Sequence, residues 1–163
     1  MYLPLGLTGR AALTVTDADT AAAVGSGDVP VLATPRLLAL AEAATVDALR
    51  EALPAETTSV GVRVELSHRL PTPIGATATA TATLETVDGR ALRFAVVVHD
   101  DVEAGYPDDQ GDAPDGRVVA EVAVERAAVD RARFLARLPV AGRSDDQDPA
   151  GRGAVPATDE GVR

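Results

Sequence analysis

Two ionisable side chains stand where the pattern of the chain calls for apolar ones. The stretch "PRLLALAEAATVDAL" (Pro35 to Leu49) places Leu37, Leu38, Ala41, Thr45 and Leu49 at helical spacing, continued by Leu53. At about 100° per residue, Glu42 falls among Leu38, Leu49 and Leu53, while Arg36, Asp47 and Arg50 fall on the far side. A second stretch, Thr58 to Leu70, alternates: Val60, Val62, Val64, Leu66, His68 and Leu70 share one face, and Arg63, Glu65, Ser67 and Arg69 the other. His68 is the one ionisable residue in its row, as Glu42 is in the helical stripe. A carboxylate buried alone takes up a proton or demands a partner. Glu42 and His68 are therefore expected to approach each other across a helix–sheet interface, around a pocket that Thr34 overlooks. Such a pair is equipped for proton transfer near neutral pH; the carboxylate would raise the imidazole pKa and burial would lower it. Each residue also has a plain structural reading: a satisfied core histidine, a glutamate at the edge of a stripe, a threonine that only caps a helix. One His and one Glu with no third ligand make a thin zinc site, so neither metal nor cofactor is expected.

The elements that must position these residues are legible in the punctuation. Thr34 and Pro35 suit the cap and first position of a helix, which Pro54 stops. Strands are expected over Ala11–Asp17, Thr58–Leu70, Ala76–Thr86, Leu92–Val98 and Arg117–Ala128, with Asp88-Gly89 as a hairpin turn. "DRARFLARL" from Asp130 reads as a short helix or a docked extension. Residues 103–116, rich in Asp, Gly and Pro, read as a flexible acidic loop, and 140–163 as a disordered tail. The order gives an α+β fold: one long helix packed on one face of an antiparallel sheet, in a single domain over residues 1–139.

Composition narrows the function classes. Aromatic residues are 2% of the 163, so the core must be aliphatic. The chain has no cysteine, which removes disulfides, thiolate ligands and a cysteine nucleophile. The formal charge of −10 is concentrated in the run from Asp100 to Gly116 and in the tail. It argues against nucleic-acid or anionic-membrane partners. No apolar run is long enough to span a membrane, and the N-terminus does not read as a signal peptide; a cytoplasmic protein is expected.

"VPVLATPRLLALAEAA", "TTSVGVRVELSHRLPTPIGATATATATL", "VDGRALRFAVVVHD" and "VAVERAAVDRARFLARL" together resemble the fluoroacetyl-CoA thioesterase-like family of hot-dog proteins. The likeness covers roughly Val29 to Leu138, apart from the acidic loop. It implies a long central helix wrapped by a curved antiparallel sheet, pairing into a homodimer with acyl-CoA sites at the interface, and hydrolysis of an acyl-CoA to acid and free CoA. Thr34, Glu42 and His68 match the family's catalytic trio in type and spacing. Gly61 matches a glycine lining the site, and Arg126 an arginine near the bound thioester. The family's fluoroacetyl-specific enzyme gates its pocket with phenylalanines ahead of the threonine. Here that segment is "AAVGSGDVPVL", with no aromatic, so fluoroacetyl selectivity is not expected. Two other readings compete. A hot-dog hydratase acting on enoyl or hydroxyacyl thioesters is disfavoured because it pairs Asp and His on one segment. A non-catalytic acyl-CoA binding domain would bind without turnover.

Overall fold

The protein, a computed structural model that describes residues 3–103 and 116–139, is built on one helix and one sheet. Strand β1 (Thr8–Thr14) is followed by a 3-10 turn (Asp17–Asp19), a short helix α1 (Ala21–Val24) and the long helix α2 (Thr34–Leu49). Strands β2 (Thr57–His68), β3 (Thr77–Asp88), β4 (Ala91–Asp100) and β5 (Arg117–Asp130) then run to a short C-terminal helix α3 (Arg131–Leu135). The strands form one antiparallel sheet in the order β1-β3-β4-β5-β2. A curled antiparallel sheet holding a long helix is the α+β hot-dog arrangement.

Alternation explains the core. On β3, Ala78, Ala80, Ala82 and Leu84 are buried and the intervening threonines half-buried. On β4, Leu92, Phe94, Val96 and Val98 fill the same layer, and on β5 Val122 and Val124 continue it. Against them α2 buries Leu37, Leu40, Ala41, Ala44, Ala48 and Leu49. The alanines let the helix lie close. At Gly9 of β1 a Cβ would run into the backbone of Ala44 and Ala48, so that strand has to carry a glycine there. A leucine such as Leu37, with no solvent exposure, contributes on the order of 2–5 kcal/mol by the cost of its truncation to alanine. α2 packs most closely on β1 and β3 and only lightly on β2, which leaves a groove between helix and edge strand.

Four expectations need correction. The first strand begins at Thr8 and ends at Thr14, because its partner on β3 runs from Thr77 to Thr83. The helix ends at Leu49, before Leu53. Asp100 does not belong to the solvated acidic run: it is 2% exposed and paired with Arg117. The alternation of β2 is broken by a bulge. Gly61 lies opposite Arg126 and Arg63 opposite Glu125, so Val62 is an extra, unpaired residue. Residues facing each other across antiparallel strands share a face. Ser59 and Gly61 therefore turn toward α2 before the bulge, and Val64, Leu66 and His68 after it; Val60 lies on the other face. The expected acidic loop falls mostly at 104–115, and the expected tail at 140–163, outside the described residues.

Candidate active site

Thr34 is the first residue of α2, and Ala33, extended at φ −71° and ψ 137°, is the cap. The Thr34 hydroxyl thus has no capping duty, contrary to the sequence reading. It lies 3.0 Å from Nδ1 of His68, the last residue of β2. His68 is held there because β2 pairs with β5 as far as Ala120, which is wholly buried. Burial pushes the imidazole pKa below its ordinary value, with the Leu70 backbone opposing, so His68 is neutral at pH 7. Its Nε2 is buried and has no hydrogen-bond partner among the described residues.

Of the first backbone N–H groups of α2, Pro35 has none, and those of Arg36 and Leu37 already donate to the Ala33 carbonyl. Only the Thr34 N–H is left to meet an incoming oxygen. The start of the helix is fixed from outside by Asp19, whose backbone carbonyl accepts from Ala33 N at 2.9 Å and whose carboxylate meets Arg36 Nε at 3.1 Å. The Thr16 hydroxyl and N–H bond the Asp19 carboxylate, lowering its pKa, so it stays a charged acceptor.

Glu42 lies two turns further along α2. It is not in the middle of the buried stripe: that centre runs through Leu37, Ala41, Ala44 and Ala48, about 120° away at 100° per residue. It sits at the stripe's edge with a side chain 33% exposed, facing the groove. Its partner among the described residues is Arg126, whose Nη1 donates to Oε1 at 3.3 Å; no hydrogen bond joins it to His68. The expected Glu42–His68 contact is replaced by two pairs, Thr34–His68 and Glu42–Arg126. The first joins the start of α2 to the end of β2, and the second joins α2 to β5 opposite Gly61.

Arg126 comes from the core face of β5 and is 6% exposed. A guanidinium so buried is costly unless its donors are used. Its Nε donates to Ser59 Oγ at 2.9 Å, Nη2 to the Ser59 carbonyl at 3.1 Å, and Nη1 also to Thr45 Oγ1 at 3.3 Å. Desolvation pulls its pKa down and the Glu42 carboxylate pushes it back. Thr45 in turn donates to the Glu42 carbonyl at 2.6 Å. Ser59 and Thr45 are the residues the sequence did not single out. The bulge turns Ser59 inward, and its only advance signal was a glycine inside a strand.

Gly61 completes the arrangement. A Cβ at that position would fall inside 3.0 Å of Glu42 Oε1. The carboxylate therefore occupies the space that any other residue at 61 would fill. Oε1 is committed to Arg126, and Oε2 has no partner among the described residues. The site thus offers a free carboxylate oxygen, a hydroxyl held by a neutral imidazole and one open backbone N–H. That is equipment for proton transfer and for meeting an oxyanion. No group of three or more His, Cys, Asp or Glu residues that could hold a metal is present among the described residues.

Comparison with known proteins bears directly on this chemistry. A family model described as fluoroacetyl-CoA-specific thioesterase, FlK, matches residues 15–104, more than half of the chain. The fluoroacetyl-CoA thioesterase of Streptantibioticus cattleyicolor is 38% identical over 73 residues, which cover 45% of this chain. That match spans about half, 52%, of the relative's own length. A solved structure of the fluoroacetyl-CoA thioesterase FlK superposes with a TM-score of 0.69 at 26% identity, covering 85% of this chain and all of that one. A thioesterase superfamily member from Thermus thermophilus shares the fold at a TM-score of 0.68 and 21% identity, over 82% of this chain and 88% of its own. The chain belongs to the fluoroacetyl-CoA-specific thioesterase family.

Proposed function

We propose that the chain hydrolyses small or medium acyl-CoA thioesters in the groove between α2 and β2. The observation that carries this reading is the Glu42 carboxylate, seated over Gly61 and anchored by Arg126 with one oxygen free, on the same groove as the Thr34–His68 pair. The eight residues from Thr34 to Glu42 span about 12 Å of helix axis, and helical side chains lean toward the N-terminus. On this reading the thioester carbonyl lies between the two pairs, with Glu42 leaning toward Thr34.

Glu42 Oε2 takes a proton from water as the water oxygen attacks the acyl carbon. In this reading the Thr34 hydroxyl accepts from His68 Nδ1–H, and it donates its own proton, with the Thr34 N–H, to the developing oxyanion. The C–S bond then breaks, and the proton on Glu42 passes to the departing sulfur, leaving a carboxylate and free CoA. Buried Arg126 orients Glu42, and Gly61 leaves room for it. The segment before Thr34 bears Val24 and Val29, both exposed, and no aromatic residue. An aliphatic approach of this kind suits a broad acyl range and not fluoroacetyl selectivity.

The free edge of β2 supports pairing with a second copy. It is twelve residues long and carries Val62 at 66% exposure. A long strand with one edge unpaired among the described residues is a template for another strand. In the homodimer the groove of each copy is closed by its partner.

The test is release of free thiol from a panel of acyl-CoAs. Wild type should yield CoA, whereas a hydratase would yield none. Glu42→Gln should lose about 10²- to 10⁴-fold in kcat with the fold retained. If Glu42→Gln keeps the wild-type rate on every acyl-CoA that is turned over, the reading fails.

A further inference from the structure

A guanidinium has five N–H donors, and two of its edges present them as parallel pairs, Nε with Nη2 and Nη1 with Nη2. A carboxylate that meets either edge is bound through both oxygens, the strongest pairing these two groups make. Arg126 and Glu42 do not pair in that way. One N–H of Nη1 reaches Oε1 at 3.3 Å, and no bond from Arg126 reaches Oε2. Arg126 is 6% exposed, and Glu42 is its one carboxylate partner among the described residues. A buried cation held so loosely by its counter-charge needs a cause.

Two neutral residues supply it. Ser59 of β2 takes the whole Nε/Nη2 edge: its Oγ accepts from Nε at 2.9 Å and its carbonyl from Nη2 at 3.1 Å. One serine thus fills a fork that would otherwise suit a carboxylate. Thr45 of α2 accepts from Nη1 at 3.3 Å, so that nitrogen is divided between Thr45 and Glu42. The Thr45 hydroxyl proton is already committed to the Glu42 carbonyl at 2.6 Å, so toward Arg126 this residue can only accept. Thr45 has no solvent exposure, and its hydroxyl is fixed at both ends.

We propose that Ser59 and Thr45 are positioning residues that hold Arg126 to a single contact with Glu42 and so keep Oε2 open to water. This rests on the reading of Glu42 as the base in thioester hydrolysis. It adds a second condition to the anchoring of the carboxylate: the arginine must be near enough to orient Glu42 and restrained enough not to close on it. Without the two hydroxyls, Arg126 has unpaired donors in a buried place, where an unmade hydrogen bond is costly. Glu42 Oε2 is an acceptor with no partner among the described residues, on the carboxylate that Arg126 already touches. Closing the fork satisfies those donors and occupies the oxygen that takes the proton.

The experiment measures thiol release by Thr45→Val, Ser59→Ala and the double variant, with thermal melts to check folding. Each single change should lower kcat at least about tenfold with KM unchanged, because neither side chain is needed to hold substrate. Thr45→Ser and Ser59→Thr, which keep the hydroxyl, should keep most of the wild-type kcat. Thr45→Val is close to isosteric and carries a double-mutant cycle with Arg126→Gln, which removes the fork. In that background Thr45→Val should cost nothing further. A crystal structure of the double variant should show Arg126 bound to both oxygens of Glu42. The proposal is overturned if Thr45→Val and Ser59→Ala keep the wild-type kcat, if the Thr45→Val and Arg126→Gln losses multiply, or if the variant crystal retains the single contact. If Glu42→Gln keeps the wild-type rate, it is the base reading that fails. The variant structure then decides the restraint alone: a closed fork supports it, and a single contact overturns it.

Discussion

Gly61→Ala is the sharpest perturbation of the site, because it adds one methyl group and touches no charge. A Cβ at 61 lies inside 3.0 Å of Glu42 Oε1, whereas ordinary contact begins at 3.4 Å. To accept it, the carboxylate must move by on the order of 1 Å, and misplacement of a reacting group by about 1 Å costs about 10²-fold in rate. That corresponds to about 2.7 kcal/mol of transition-state stabilisation. The displaced carboxylate can turn toward solvent, since its side chain is already 33% exposed. The cost in stability is therefore smaller than the cost in rate, about 1 kcal/mol for a loosened hydrogen bond. The assay is steady-state thiol release alongside a thermal melt. Gly61→Ala should lower kcat about 10²-fold with a melting temperature within a few degrees of wild type. Adding Glu42→Asp, which retracts the carboxylate by one methylene, should restore part of the loss relative to Gly61→Ala alone. A Gly61→Ala enzyme with wild-type kcat/KM would refute the placement of Glu42 over Gly61 and with it the derived role of the carboxylate.

Three further outcomes follow from the same geometry. Thr34→Val should lose at least about tenfold in kcat, with a melting loss no greater than that of His68→Gln, because Ala33 caps α2 and the bond removed is the one to His68; a melting loss clearly larger than that of His68→Gln would return Thr34 to a structural role. Since burial lowers the His68 pKa, the acidic limb of kcat/KM that disappears in His68→Gln should lie below pH 6.5. The unfolded chain binds a proton that the folded chain refuses, so stability should also fall as pH drops through 6.5, and pH-dependent melts of wild type and His68→Gln measure that difference. Asp100→Asn breaks a pair only 3% and 0% exposed, with bonds of 2.7 and 2.9 Å to Arg117 and 2.8 Å from Thr72, and should cost about 3–5 kcal/mol, a melting loss on the order of 10 °C, with little change in kcat.

The long helix, the hairpin at Asp88-Gly89 and the four later strands are readable from local chemistry, because proline, glycine and alternation act within a few residues. The site is readable only in part. Glu42 and His68 stand out because each breaks a period, and period is a local property. Their partners are not local. Arg126 reaches Glu42 from 84 positions along the chain, and Ser59 reaches Arg126 across 67. Periodicity shows that a strand has two faces and is silent on where its register slips. The even run of valines from Val60 to Val64 hides the bulge at Val62, which decides that Ser59 and Gly61 face the helix. The cap of α2 was misread for a related reason: Thr-Pro suits a cap by type, but the Thr34 hydroxyl has a better partner in His68, 34 residues away.

The buried pair of Asp100 and Arg117 has a consequence for how the chain tolerates change. These residues are the last of β4 and the first of β5, so they sit at the two roots of one connection. Their bonds to each other, with Thr72 and the Pro71 carbonyl, close that connection at its base. Lengthening a chain segment between closed ends costs only about 0.6 kcal/mol per doubling. The segment between them is thus a splice point. A foreign peptide or a small domain grafted there would be tethered at the end of the sheet that carries His68 while the register of β4 on β5 stayed in place. The same clamp that shields two charges from water makes this the position where the molecule can be extended without being refolded.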